Sequence, residues 1–305
     1  MTVLASIASQ LVHAMLVAAA AFFGACAMPW LVSHMRGQSP RPILQPWRDL
    51  ARSMRKQPIE LENASGVFRA APICALAGTA TAALLIPGFA LGMATAPIAD
   101  VVCVVGLLAL GRVALLLAAM DSGSARGGIA AARGAQALVV ATPALLLVAL
   151  TLAMLAGGTQ FDPIVALQRE GLLFPAGAGV FAAAALLAVA TVECAAWSDG
   201  WELEFGGRDL VLIRVEAAVR LVCWIDLILC LFLPFGIALP GTGLAEHGFG
   251  LLCWAIEYVA LVAVFAATTV ISGPIRRTAS AEILGAAGLL ALIAAAIVLA
   301  TTAVA

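Results

Sequence analysis

LQPWRDLARSMRKQPIELENASGVFRAAPICALAGTATAALLIP, residues 44–87, joins a charged amphipathic segment, an Asn-Ala-Ser corner and an apolar run. Between Gln45 and Gln57 it carries Arg48, Asp49, Arg52, Arg55 and Lys56, while Trp47, Leu50, Ala51 and Met54 recur at helical spacing. A helix built from this segment is apolar on one side and cationic on the other, with Arg48, Arg52, Arg55 and Lys56 as its docking face. That is the pattern of a helix lying flat in a headgroup region or against another subunit. Pro58 stops it. Asn63 or Ser65 caps the next helix, because a side-chain oxygen accepts from the free amide donors of a new helix. That helix starts near Val67 and enters the membrane.

Composition points the same way. Of 305 residues, 64% are hydrophobic and 11% charged, and the mean hydropathy is +1.10, whereas soluble domains are about 25% charged. A water-soluble core cannot absorb that much apolar sequence, so the lipid bilayer is an expected partner and nucleic acid is not. The net charge of −1 identifies no other partner, because the signs are segregated along the chain.

Apolar runs of 20 or more residues lie at Val3 to about Val32 and near 67–90, 97–120, 135–157, 174–197, 209–239, 248–272 and 281–304. About 20 residues at a rise of 1.5 Å cross the hydrocarbon layer. The expected fold is therefore an all-α polytopic bundle of about eight spans in one domain, 1–305, with a cytoplasmic amphipathic helix after the first span. Met1 to Gln10 has no Lys or Arg, so the first run reads as a retained span rather than a cleaved signal. Pro143 and Pro234 fall inside expected spans and should kink or locally open them. Basic residues surround the first, third, fifth and seventh connections, whereas the others contain only Arg169. By the positive-inside rule the odd connections are cytoplasmic and both termini face outward.

Seven cysteines (Cys26, Cys74, Cys103, Cys194, Cys223, Cys230, Cys253) are scattered singly through apolar runs, and they read as small buried hydrophobes. The chain is thus expected to hold no iron–sulfur cluster, zinc or other cofactor of its own, and it has no nucleotide-binding motif. His13, His34 and His247 are too far apart in sequence to suggest a metal site.

A charge at the bilayer centre costs at least about 2.5–3.5 kcal/mol on insertion scales, so each ionisable residue within a span needs a partner, a wet cavity or a function. The candidates are Arg112, Glu193, Glu216, Arg220, Asp226 and Glu257. Glu216 and Arg220 are four apart and can pair on one helix face. Asp226 needs a partner from another span, for which Arg112 is one choice.

The order of words in residues 44–87, LQPWRDL, RKQP, NASGVFRAAP and LIP, resembles the membrane subunit of formate hydrogenlyase and related energy-converting hydrogenases. That family is similar in turn to subunit 1 of respiratory complex I. The resemblance continues through ALGRVALLLAAMDSGS (109–124), AARGAQALVV (131–140), EFGG (204–207) and LFLPFG (231–236). It implies a non-catalytic membrane-anchor and coupling subunit in the bacterial inner membrane. Its expected partners are hydrogenase-like soluble subunits, which would carry iron–sulfur and nickel–iron or related centres, and antiporter-like membrane subunits. It also implies a charged path through Arg112, Arg133, Glu193, Arg214 and Arg220, to which the buried Asp226 is added. Asp121 agrees with the family's pattern too.

The sequence departs from that pattern at three places. Gly134 stands where the family places Glu, Thr142 where it places a second acid, and the connection 194–203 is too short for the family's acidic loop. Glu202 and Glu204 either substitute in part or form a solvated loop. Two other readings are open: a stand-alone ion or proton transporter using Asp226, Glu257 and Arg220, and an anchor that has lost proton coupling. In the coupling reading, Glu193 is expected to be a buried acid without a fixed partner, free to take up and release a proton.

Overall fold

In the computed structural model, residues 3–39, 42–57, 64–171, 177–195 and 201–304 are described. Nine α-helices account for most of them: α1 (Val3–Met35), α2 (Gln45–Met54), α3 (Gly66–Leu85), α4 (Val101–Asp121), α5 (Ala125–Ala156), α6 (Phe161–Arg169), α7 (Ala178–Ala195), α8 (Gly207–Phe232) and α9 (Leu244–Val304). No strand occurs among the described residues, only isolated bridges at Ala90–Ala238 and Asp100–Gln160. The chain is an all-α polytopic membrane protein. Among the described residues, six stretches are long and apolar enough to cross a bilayer: α1, α3, α4, α5, and the Leu244–Ile271 and Ser280–Thr302 parts of α9. Of the other two expected spans, α7 is at the short end, with 18 residues. The last, α8, carries Glu216, Arg220 and Asp226 within its apolar part.

α8 is the axis of the bundle. Every residue from Val219 to Leu231 is buried, so this helix is covered all round, as only the core helix of a large bundle is. α3 and α4 pack on each other, α3 and α1 pack on α8, and α5 and α7 pack on α9. Small residues permit these approaches. A Cβ on Gly78 would sit 3.2 Å from the Leu107 carbonyl oxygen of α4, and van der Waals contact of this kind holds helices together in lipid.

The two ends of the bundle are tied by different devices. At one end Ser65 Oγ accepts from the Val67 amide at 3.1 Å and caps α3. Asp121, the last residue of α4, accepts from the Ser65 and Phe68 amides at 2.8 and 3.2 Å. Phe68 and Phe205 stack there at 4.1 Å. Of the two expected caps Ser65 is used, while Asn63 and Pro58 lie outside the described residues. At the opposite end the connection after α3 folds inward. Leu91 N–H donates to the Ala238 carbonyl at 2.9 Å and Ala238 N–H to the Phe89 carbonyl at 3.0 Å.

The prolines behave differently from one another. α5 runs through Pro143 as one helix, so that residue does not divide the span. Pro234 lies beyond the end of α8 at Phe232, so the sixth apolar run ends earlier than residue 239. Proline lacks the N–H that another helical turn would need, and residues 233–243 make the turn that receives the 86–91 segment instead.

Candidate functional site

Four charged side chains from three helices meet inside the bundle: Arg112 of α4, Glu193 of α7, and Glu216 and Arg220 of α8. None is more than 5% exposed. Arg112 Nε donates to Glu193 Oε2 at 2.6 Å, and its Nη2 donates to the Glu193 backbone carbonyl. One turn of α8 places Glu216 and Arg220 on the same face, where Arg220 Nε and Nη2 reach Glu216 Oε1 at 2.6 and 2.5 Å. The two pairs are joined, because Arg220 Nη1 lies 4.0 Å from Glu193 Oε2.

A fourth helix completes the network. Thr79 of α3 donates to Glu216 Oε1 at 2.9 Å and accepts from Arg220 Nη2 at 3.2 Å, while Arg220 Nη1 donates to the Leu108 carbonyl at 3.2 Å. Two cations and two anions in one dry place cancel. A buried pair of this kind contributes little net stability, but removing one partner strands a charge and costs about 3–5 kcal/mol. The arrangement thus joins two charge-assisted hydrogen-bonded pairs through the 4.0 Å approach of Arg220 to Glu193, so that a change of charge on one of α3, α4, α7 and α8 is felt on the others.

The remaining expected residues divide. The Glu216–Arg220 pair forms as the four-residue spacing requires. Glu193 is not a buried acid without a partner: it is clamped by Arg112, because desolvation demands a counter-charge there. Asp226 does not pair with Arg112. It accepts from Trp254 Nε1 of α9 at 2.9 Å, since six residues of α8 carry it about 9 Å along the axis from Arg220. Arg133 is exposed on α5, Arg214 is half-buried on α8, and Glu257 is half-buried on α9. Sequence reasoning misses Thr79 and Gly111. A hydroxyl within an apolar run and a glycine preceding a buried arginine are the signals that point to them.

Arg48 and Arg52 on α2, and Arg55 and Lys56 just beyond its end, are all exposed, with Arg52 held 3.2 Å from Asp49, so only the first two of the four expected docking residues lie on the helix itself. The helix is anchored by the buried Leu50 and by Trp47, whose ring stacks on Phe22 at 4.6 Å. Ala51 and Met54 are exposed, so the apolar face is narrower than the spacing suggested, and α2 ends at Met54 rather than at Gln57. A cavity of about 570 Å³ opens between α1, α2 and α8, with Trp30, Ile43 and Leu50 beside Asp49, Glu202 and Arg214 in its lining. Such walls suit an amphipathic guest. Burial pushes the Glu202 carboxyl above its usual range, and the nearby Arg214 guanidinium draws it part of the way back. Glu204 accepts from Ser124 Oγ and is half-buried, so it is not a freely solvated side chain. No metal-binding group of three or more His, Cys, Asp or Glu occurs among the described residues.

The site of the missing family acid is also defined. A Cβ on Gly134 would lie 2.4 Å from Leu116 Cδ2, so a leucine of α4 occupies the room that a side chain on α5 would take.

Known proteins agree with this architecture. The chain is 26% identical over 204 residues to hydrogenase-4 component C of Escherichia coli K12, covering 64% of this chain and 65% of that protein. The alignment thus spans a little under two thirds of the relative's length. A subunit of the membrane-bound sulfane sulfur reductase, an archaeal respiratory membrane complex, superposes with a TM-score of 0.76, covering 98% of this chain and 100% of that one at 17% identity. The fold is therefore shared. From residue 33 to residue 301, through every helix of the charged network, the sequence matches the NADH dehydrogenase family, and the chain belongs to it.

Proposed function

We propose that this protein is the membrane-anchor and coupling subunit of a complex I-like or formate hydrogenlyase-like assembly. The relatives are subunits of multisubunit membrane complexes, and the chain is a multi-pass membrane protein. In this reading the cationic face of α2 docks a hydrogenase-like soluble arm, whose subunits carry iron–sulfur and nickel–iron or related centres. Antiporter-like subunits lie alongside in the membrane. The location is the bacterial inner membrane, with α2 cytoplasmic and both termini outside. The observation that carries the coupling role is the joined Arg112–Glu193 and Arg220–Glu216 pairs. A buried, neutral, four-helix network is a poor source of stability and a good relay of charge.

A second reading, an anchor without proton coupling, is favoured by one observation. Leu116 fills the space beside Gly134 where the family pattern has an acid, so that position of α5 adds no carboxylate to the charged path. The stand-alone transporter reading loses ground, because Asp226 bonds to Trp254 while Arg220 is committed to Glu216.

Purification of the chain from native membranes in mild detergent tests the assembly. A relative of hydrogenase large subunits and antiporter-like subunits should co-purify with it. Recovery of the chain alone, active in ion transport, would contradict the proposal.

A further inference from the structure

The charges buried in the bundle do not balance until one proton is added. Among the described residues, the buried arginines and acids are Arg112, Arg220, Glu193, Glu216 and Asp226, so two cations stand against three carboxyls. Arg112 holds Glu193 and Arg220 holds Glu216. The odd carboxyl is Asp226, which the coupling role does not use.

Asp226 is 1% exposed and lies six residues, about 9 Å, along α8 from Arg220. Its Oδ1 accepts from Trp254 Nε1 of α9 at 2.9 Å, while its Oδ2, closed off from solvent, has no hydrogen-bond partner among the described residues. One neutral N–H is a weak counterpart for a full negative charge in a dry place. A buried carboxylate needs a cation or several donors. A neutral carboxyl bonded at one oxygen leaves only a hydroxyl unpaired, at a far smaller cost.

The groups around Asp226 do not alter that balance. Its electrostatic neighbours are Cys223 and Cys230 on α8 and Tyr258 on α9, which donate to the Thr79, Leu227 and Ala20 carbonyls respectively. From α1, His13 bonds to the Ala83 carbonyl. From α7, Glu193 is clamped by Arg112, and from α6, Asp162 accepts from the Gly92 amide. Glu257 is half-buried on α9, and Arg69 and Cys74 of α3 and Arg169 of α6 are exposed. The charges of α2, with Glu202 and Arg214, lie beyond the network toward the other end of α8. None of these sets a cation against Asp226.

We propose that Asp226 is a proton-binding site of the bundle, a carboxylic acid in the folded chain with its proton on Oδ2 and its carbonyl oxygen Oδ1 bonded to Trp254. With that proton in place, the buried arginines and acids of the described residues sum to zero. Protonating Glu193 or Glu216 strands an arginine, whereas Asp226 takes or gives its proton without breaking an ion pair. Release breaks the Oδ2–H bond, puts the proton into the aqueous phase and leaves a carboxylate that still accepts from Trp254. No electrons change hands.

The site is read at equilibrium and without redox partners, so its failure is separate from any failure of the coupling role. Infrared spectra of the lipid-reconstituted chain at neutral pH should contain a protonated-carboxyl C=O band that is lost in Asp226→Asn. Trp254→Phe changes no charge but removes the hydrogen bond to the C=O oxygen, and should move the same band to higher frequency. Thermal denaturation gives an independent reading. Asparagine copies the neutral acid, so Asp226→Asn should keep the melting temperature of the unaltered chain, whereas Glu216→Gln strands Arg220 and should lower it. A spectrum unchanged by both Asp226→Asn and Trp254→Phe, or a melting temperature lowered as far by Asp226→Asn as by Glu216→Gln, would overturn the proposal.

Discussion

Arg220 makes contacts to three helices besides its own, and the space for its guanidinium is made by an absence. A Cβ on Gly111 would lie 3.0 Å from Arg220 Nη2 and 3.3 Å from both the Ala75 carbonyl oxygen and Thr79 Oγ1. Arg220 cannot withdraw, because Glu216 and Thr79 hold it. Gly111→Ala should therefore destabilise the folded chain by about 1–3 kcal/mol, the usual cost of overpacking. Gly106, five residues earlier on α4, has nothing within 4 Å of its would-be Cβ, and Gly106→Ala should be neutral or stabilising by up to about 1 kcal/mol. Thermal denaturation of both variants in detergent checks the pair. Equal effects would mean that the network does not depend on the gap at Gly111.

At the scale of the element, α2 and α8 are legible in the sequence to different degrees, for one physical reason. A helix at an interface has a periodic face, so the charges of α2 and its start at Gln45 can be read directly. Its C-terminal limit cannot, because Met54 is exposed, and only tertiary packing decides which apolar residue is covered. A helix buried all round has no periodicity to read. The sequence of α8 therefore reveals the Glu216–Arg220 pair, which is set by spacing within one helix, but not the partner of Asp226, just as the sequence of α7 does not reveal that of Glu193. Those depend on which helix lies opposite, and Arg112 and Trp254 come from runs distant in sequence. For α2 itself, each exposed basic side chain near an anionic surface is worth about 1 kcal/mol. Replacing Arg48, Arg52, Arg55 and Lys56 together with Gln should release the soluble arm during purification at moderate salt, while the helix stays anchored by Leu50 and Trp47. An assembly that purifies intact after that change would make α2 a lipid-facing feature only.

The whole molecule places its polar groups in layers. Asp121 and Ser124 tie the corners at one end, the bridge between Ala90 and Ala238 closes the other, and the arginine–glutamate network lies between them where water is excluded. The apolar runs and the family resemblance make the bundle legible from sequence. The network is legible there only as a set of residues, since neutrality is a property of the assembled group and not of any one span. Neutrality also dictates how the central claim is tested. Glu193→Gln alone strands Arg112 and confounds coupling with folding, whereas Arg112→Gln with Glu193→Gln removes one cation and one anion and keeps the buried group neutral. The decisive measurement is redox-driven proton uptake by vesicles containing the assembly with this paired substitution. The account predicts an intact complex that still transfers electrons while proton uptake falls to background. An intact complex whose uptake equals that of the unaltered protein would contradict it.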